Sequence, residues 1–271
     1  VGAAAVAARL GAHAPRPGLL DPGTTAAELA QLADVGYDAF TRGRFVDAAA
    51  TLGRALAAAR RNPAVLVLDT SNLHVVFQIL VGLALSHARR GDADGAAAAM
   101  AELIRVFPHS PVARAEYGPE AERLYRAVAR AVTSGPRGAL TVEVDREQAV
   151  IFVDGQIRGL GVAALGGLVP GRYHIYVQVP ATAGRQYEVE VAAGARAALA
   201  IDWELDAALT ITDGWAGWLV ATEAERRRLP ALLARRGRDA IQAEVAERVL
   251  LVFTLLLQRH PQLRTRRHHD G

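Results

Sequence analysis

The chain has 271 residues, enough for two or three domains and a sizeable core, and its apolar fraction of 51% is ordinary for a folded soluble protein. All 31 basic residues are arginine against 28 acids, and the net charge of +3 is too small to argue for a nucleic-acid partner. The absence of cysteine excludes thiol catalysis, thiolate metal sites and disulfides together.

Residues 1–23 read as a lead. Val1–Ala14 is small and apolar and ends in Ala12-His13-Ala14, which fits either the tail of a secretory signal with an A-x-A site or an alanine-rich arm. Pro15–Gly23 is rich in proline and glycine. Residues 24–133 carry a helical period. Thr25-Ala26-Ala27-Glu28 reads as a capping box opening a helix to about Thr41. A second helix runs from Phe45 to about Arg61, where Asn62-Pro63 ends it. A later helical pair turns at Gly91, and Tyr117-Gly118-Pro119-Glu120 opens one more helix to about Val132, with Pro119 in a tolerated first-turn position.

Leu32, Val35, Gly36, Gly43, Phe45, Ala48, Leu52, Ala55 and Leu56 fall at the large, small and turn positions of a helical hairpin. Leu80, Leu83, Ala84, Gly91, Ala96, Met100, Leu103, Ile104 and Pro108 hold the same offsets. Together they resemble two tetratricopeptide repeats, a generic helical bundle being the other reading. Gly43 and Gly91 lie 48 residues apart, against about 34 in a regular array. The extra residues fall around Pro63–Leu73. The resemblance implies a concave face lined by the first helix of each pair. By position it selects Ala33, Tyr37, Phe40 and Thr41, then Val81, Leu85, Ala88 and Arg89, as a peptide groove. Arg89 is its one cation, suited to a peptide carboxylate or acidic side chain. In the alternative reading, Tyr37 and Phe40 pack on the next helix.

Thr133–Gly138 is a linker of glycine, proline and serine. After it, residues 138–206 hold the one long stretch of period two. Tyr173, Ile175, Val177 and Val179 alternate with polar partners, as do Tyr187, Val189 and Val191, and then Leu199, Ile201, Trp203 and Leu205. Asp154-Gly155 tolerates positive φ at both turn positions and predicts a two-residue hairpin. Pro170-Gly171 and Ala193-Gly194 mark further turns. Five or six antiparallel strands follow from this pattern. Ala149-Val150-Ile151-Phe152-Val153-Asp154-Gly155 and Leu168-Val169-Pro170-Gly171-Arg172-Tyr173 make the stretch resemble the PEGA domain, a small β-sandwich of bacterial envelope proteins. The naming tetrapeptide keeps only Glu147 and Ala149. The resemblance implies a binding or spacer module near the cell wall and no catalysis.

Residues 207–271 read as a small α/β unit. Ala208–Ala221 predicts two strands about Asp213-Gly214, Thr222–Arg236 and Ala240–Arg248 predict helix, and Val249–Leu257 reads as a buried strand or a buried helix end. Leu263–His268 is expected to pair back across Arg259-His260-Pro261. From residue 207 onward eleven arginines face seven acids, a balance of +4, which fits a solvated helix face or a surface for a phosphate-rich or acidic partner.

No constellation points to chemistry. Gly159-x-Gly161-x-x-Ala164 matches a dinucleotide fingerprint as a string but lies inside the β unit. No serine sits in G-x-S-x-G. The terminal His268-His269-Asp270 cannot hold a coordination geometry with three adjacent residues. No apolar run reaches the roughly 18 residues of a spanning helix. The expected architecture is α+β and multidomain: helical hairpins, a small antiparallel β-sandwich and a small α/β unit. The expected role is non-enzymatic, without cofactor or metal: a scaffold or adaptor of the periplasm or cell envelope that binds a protein, a peptide or a cell-wall glycan. A cytoplasmic regulatory subunit, or a hydrolase carried by the C-terminal unit, are the alternatives.

Overall fold

The computed structural model describes residues 16–17, 22–180, 182, 184–212 and 215–218. Among the described residues the fold is α+β, with six helices in the N-terminal part, then two small sheets with a seventh, short helix between them. The chain divides into two compact units, one of residues 12–201 and one that includes everything from Asp202 onward. The expectations for Val1–Ala14, for the helices and strand of residues 222–268 and for the histidine tail lie outside the described residues.

In the larger unit, α1 (Pro22–Thr41) and α2 (Phe45–Arg61) form the first hairpin. A short α3 (Ala64–Leu68) follows, then α4 (Ser71–Arg89) and α5 (Ala93–Val106) form the second hairpin, and α6 (Arg114–Ser134) closes the series. The expected cap at Thr25 is corrected. The helix starts earlier, at Pro22, and the buried Thr25 hydroxyl accepts a hydrogen bond from the Asn62 side chain at 3.1 Å. Both hairpins turn on glycines in the left-handed region, Gly43 at φ 74° and Gly91 at φ 77°, where a side chain would be strained. Asp92 caps α5 by accepting from the Gly95 amide at 2.9 Å. Gly118, at φ 81° and ψ 171°, breaks α6 ahead of Pro119, where the sequence opens a helix. By length and composition α4 is apolar enough to cross a membrane. In this fold most of its apolar side chains are buried because α4 is central and touches α1, α2, α3, α5 and α6.

The unpaired glycines of the helices set the packing distance. An added Cβ on Gly36 would lie 2.6 Å from Leu52 Cδ2, and one on Gly82 would lie 2.8 Å from Leu52 Cδ1. Leu52, fully buried on α2, therefore sits between α1 and α4 in a slot that only glycines leave open.

The sheet of this unit has eight strands: β1 (Arg16–Pro17), β2 (Gly138–Val144), β3 (Val150–Val153), β4 (Gln156–Leu160), β5 (Val162–Leu168), β6 (Gly171–Gln178), β7 (Arg185–Val191) and β8 (Arg196–Ile201). Their order is β1-β7-β6-β3-β4-β5-β2-β8. This corrects the expectation of five or six strands, all antiparallel, because β8 runs parallel to β2, with Val142 opposite Leu199. The two ends of the sheet approach each other at Gly138, whose missing side chain leaves room for Val191. Leu140, Val142, Ile151, Ile175, Val177, Tyr187, Val189, Val191, Leu199 and Ile201 are buried, as the period of two requires. Gly159 and Gly161 lie on and beside β4 and β5, where Leu160 pairs with Val162, and no helix follows them as a dinucleotide fingerprint needs.

In the second unit, the strand expected to run on through Trp203 and Leu205 stops at Ile201. Trp203–Ala208 is a helix, α7, with Glu204 and Asp206 in its first turn, where acids favour the helix N-terminus. Strands β9 (Leu209–Thr212) and β10 (Trp215–Trp218) pair antiparallel with Thr212 opposite Trp215.

Candidate functional site

The two motifs of the β unit converge on one helical residue, Arg105. Asp154 and Gly155 both take positive φ, 48° and 78°, so the β3–β4 turn is tight. The turn does not face water. The Asp154 carboxylate is buried, with Oδ2 accepting from Arg105 Nη1 at 3.0 Å and Oδ1 accepting from the His174 amide at 3.0 Å. Gly155 meets Leu66 of α3 and Leu73 of α4, so close that an added Cβ would lie 2.8 Å from Leu73 Cδ2. Gln156 donates from its side chain to the Val106 carbonyl at 3.1 Å.

The second motif approaches from β6. Gly171, at φ 144°, passes the Arg105 stem, and a Cβ there would lie 3.1 Å from Arg105 Cδ. The Tyr173 ring carries the guanidinium on its face, 4.9 Å from the centroid, a cation–π contact in a desolvated place. The Tyr173 hydroxyl donates to the Val169 carbonyl at 2.7 Å. Burial pushes the phenol up to about 12, although Arg105 favours its ionised form. Glu102 lies 3.7 Å from Arg105 and also pairs with Arg60 of α2, so the charges run from α2 through α5 into the sheet. Burial raises the Asp154 pKa above the usual carboxylate range, against the opposing pull of Arg105, the His174 amide and Arg60.

The extra residues between the two hairpins supply the rest of the contact. Ala64 of α3 packs with Phe152 of β3 and Tyr176 of β6, with Val67 and Val150 beside them. The two rings sit 6.0 Å apart.

The groove residues read from the sequence are spread over buried and exposed places. Ala33 and Val81 are buried in the helical core. Tyr37 is partly buried and lies over Gly82, and burial, with Tyr117 adding to it, raises its pKa. Phe40 makes an edge-on contact with Phe45 at 5.5 Å, and the exposed Thr41 donates to the Asp38 carbonyl at 3.0 Å. Leu85 is partly buried against the helical core, and Ala88 is partly buried as well. Arg89 is exposed and pairs with Glu120 of α6 at 2.5 Å. Tyr37 of α1 and Arg89 of α4 therefore lie on helices in contact with each other, and Arg89 reaches on to α6.

Sequence reading passed over Arg105 and Glu102, and it named Tyr173 and Asp154 only as strand and turn residues. One signal was available: Arg105 stands alone between Ile104 and Val106 on the apolar face of α5, beside the buried Met100 and Leu103. A charge in that setting needs a buried partner. Among the described residues no group of histidine, aspartate and glutamate could hold a metal ion. Comparison of the sequence with protein-family models and with curated proteins finds no match.

Proposed function

We propose that the chain is a non-enzymatic scaffold or adaptor of the bacterial cell envelope. In this reading the helical hairpins are tetratricopeptide-like, the β unit is PEGA-like, and together they hold a protein or cell-wall partner. The convergence of the Asp154-Gly155 and Pro170-Gly171-Arg172-Tyr173 motifs on Arg105 carries the proposal. It supports a body in which the binding faces of helices and sheet keep one relative geometry, which is what an adaptor needs. The glycine turns at Gly43 and Gly91, and the close approach at Gly36 and Gly82, support the repeat-like reading of the helices.

Tyr37 and Arg89 serve as the peptide contacts of the first helices. An acidic group on the partner competes with Glu120 for the Arg89 guanidinium. The Arg89→Glu variant tests this. The exposed pair with Glu120 contributes about 0–1 kcal/mol to stability, so the fold survives. Binding of a partner captured from envelope extract weakens by about 1.5–3 kcal/mol as a charged hydrogen bond is lost. Titration calorimetry with wild type and variant reads the difference, and equal affinities would remove the groove from the proposal.

A further inference from the structure

The exposed flank of α6 sets an apolar stripe beside a row of arginines. Tyr125, Ala129 and Val132 recur at i, i+4 and i+7, pack on the helical core on one side, and stay partly exposed on the other. Beside them run Arg123, Arg126 and Arg130 at i, i+3 and i+7, and a cavity of about 590 Å³ is lined by these three arginines with Tyr125, Ala129 and Thr133. Arg126 is tied to Glu122 at 2.7 Å, while among the described residues no carboxylate pairs with Arg123 or Arg130. No acid occurs in sequence between Glu122 and Glu143. Seven residues of helix advance about 10.5 Å, and a neighbouring helix with its own i, i+3, i+7 stripe repeats on that spacing.

We propose that this face docks an acidic amphipathic helix of a partner protein. Its apolar stripe lies along Tyr125, Ala129 and Val132, and its carboxylates meet Arg123 and Arg130. The proposal rests on the adaptor reading and gives it a second contact, separate from Arg89. Charge decides against a second copy of this chain, because two such flanks would set arginine against arginine. A plain solvated arginine face would instead show no preference for how a partner arranges its charge.

The probe is a synthetic peptide of about 18 residues, five helical turns. It carries leucine at i, i+4 and i+7 and a glutamate stripe beside the leucines. A control peptide has the same composition with the glutamates on the opposite face. The chain has no cysteine, so a fluorophore on Ala127→Cys, an exposed position of α6 outside the apolar stripe, reports binding at this flank without occupying it. The first peptide binds at least tenfold more tightly than the control. The R123E/R130E double variant, whose fold is checked by circular dichroism, loses at least tenfold, and a peptide with arginine in place of glutamate recovers binding to it. Equal binding of the two peptides, no binding of either, or no rescue by charge reversal would overturn the proposal. Capture through Arg89 is measured separately. If it persists while the peptide fails, only this face is removed. If it is lost while the peptide binds, the α6 face stands without the groove.

Discussion

At the residue scale the molecule depends on Arg105. Its guanidinium answers the Asp154 carboxylate, the Tyr173 ring and Glu102, and all of these groups except Glu102 belong to the sheet. Removing one partner of a buried pair strands the other, which costs about 3–5 kcal/mol. Arg105→Ala should therefore lower the urea-unfolding free energy by about that much. The double variant R105M/D154N removes both charges and keeps a residue that tolerates the left-handed turn, so it should lose less than half as much. A double variant as unstable as the single one would mean that packing, and not charge, holds the junction. Asp154 also makes a pH prediction. Burial places its folded pKa above the ordinary carboxylate value, so the folded protein holds this proton more tightly than the unfolded chain does. Its contribution is full below about pH 4 and is lost as pH rises through the raised value. The stability of wild type minus that of Asp154→Asn, taken from urea curves at a series of pH values, should fall as pH rises from about 4 to the raised value and level off above it. A difference that climbs with pH would show that Arg105 outweighs burial.

At the element scale the helices are held by a leucine between two glycines. Leu52 is fully buried and turns Cδ2 toward Gly36 and Cδ1 toward Gly82, so moving away from a methyl at one glycine brings it toward the other. A methyl at Gly36 gains up to about 1 kcal/mol of helix propensity but overpacks a closed core, which costs about 1–3 kcal/mol. With that gain subtracted, Gly36→Ala should be a net loss of up to about 2 kcal/mol. The same change at Gly53, where nothing lies within 4 Å of the added methyl, should stabilise by a few tenths to about 1 kcal/mol. Opposite signs in thermal melts of the two variants are the expected outcome, and equal shifts would contradict the account of Leu52. α3, between the two hairpins, joins the helices to the sheet. Ala64 and Val67 go to the sheet, where Phe152 and Tyr176 present an apolar surface.

At the scale of the whole molecule, α6 passes to β2 through Gly135-Pro136-Arg137 alone. Ser134, Gly135 and Pro136 are exposed, while Gly138 is buried in the sheet. Trypsin needs several residues of local opening to cut after Arg137. The junction at Arg105 opposes that opening, because helices and sheet must part first. Cleavage after Arg137, followed by mass spectrometry of the fragments, should be slow in wild type and faster in Arg105→Ala. Unchanged cleavage in the variant would show that the connection opens without the junction.

The sequence by itself determined the local elements. Period-two alternation located Tyr173–Val179 and Tyr187–Val191, the glycines at Gly43 and Gly91 located the helical turns, and Asp154-Gly155 located its hairpin, because each follows from side chains a few residues apart. It misled at Trp203, where alternation continued past the strand although Glu204 and Asp206 favour the start of a helix. Tertiary structure alone decided the rest. Thr25 became a partner of Asn62 instead of a cap, and β8 joined β2 in parallel. Arg105 met an aspartate 49 residues further along the chain. These contacts join residues far apart in sequence, and no spacing rule records which distant partner a buried charge or an edge strand will find.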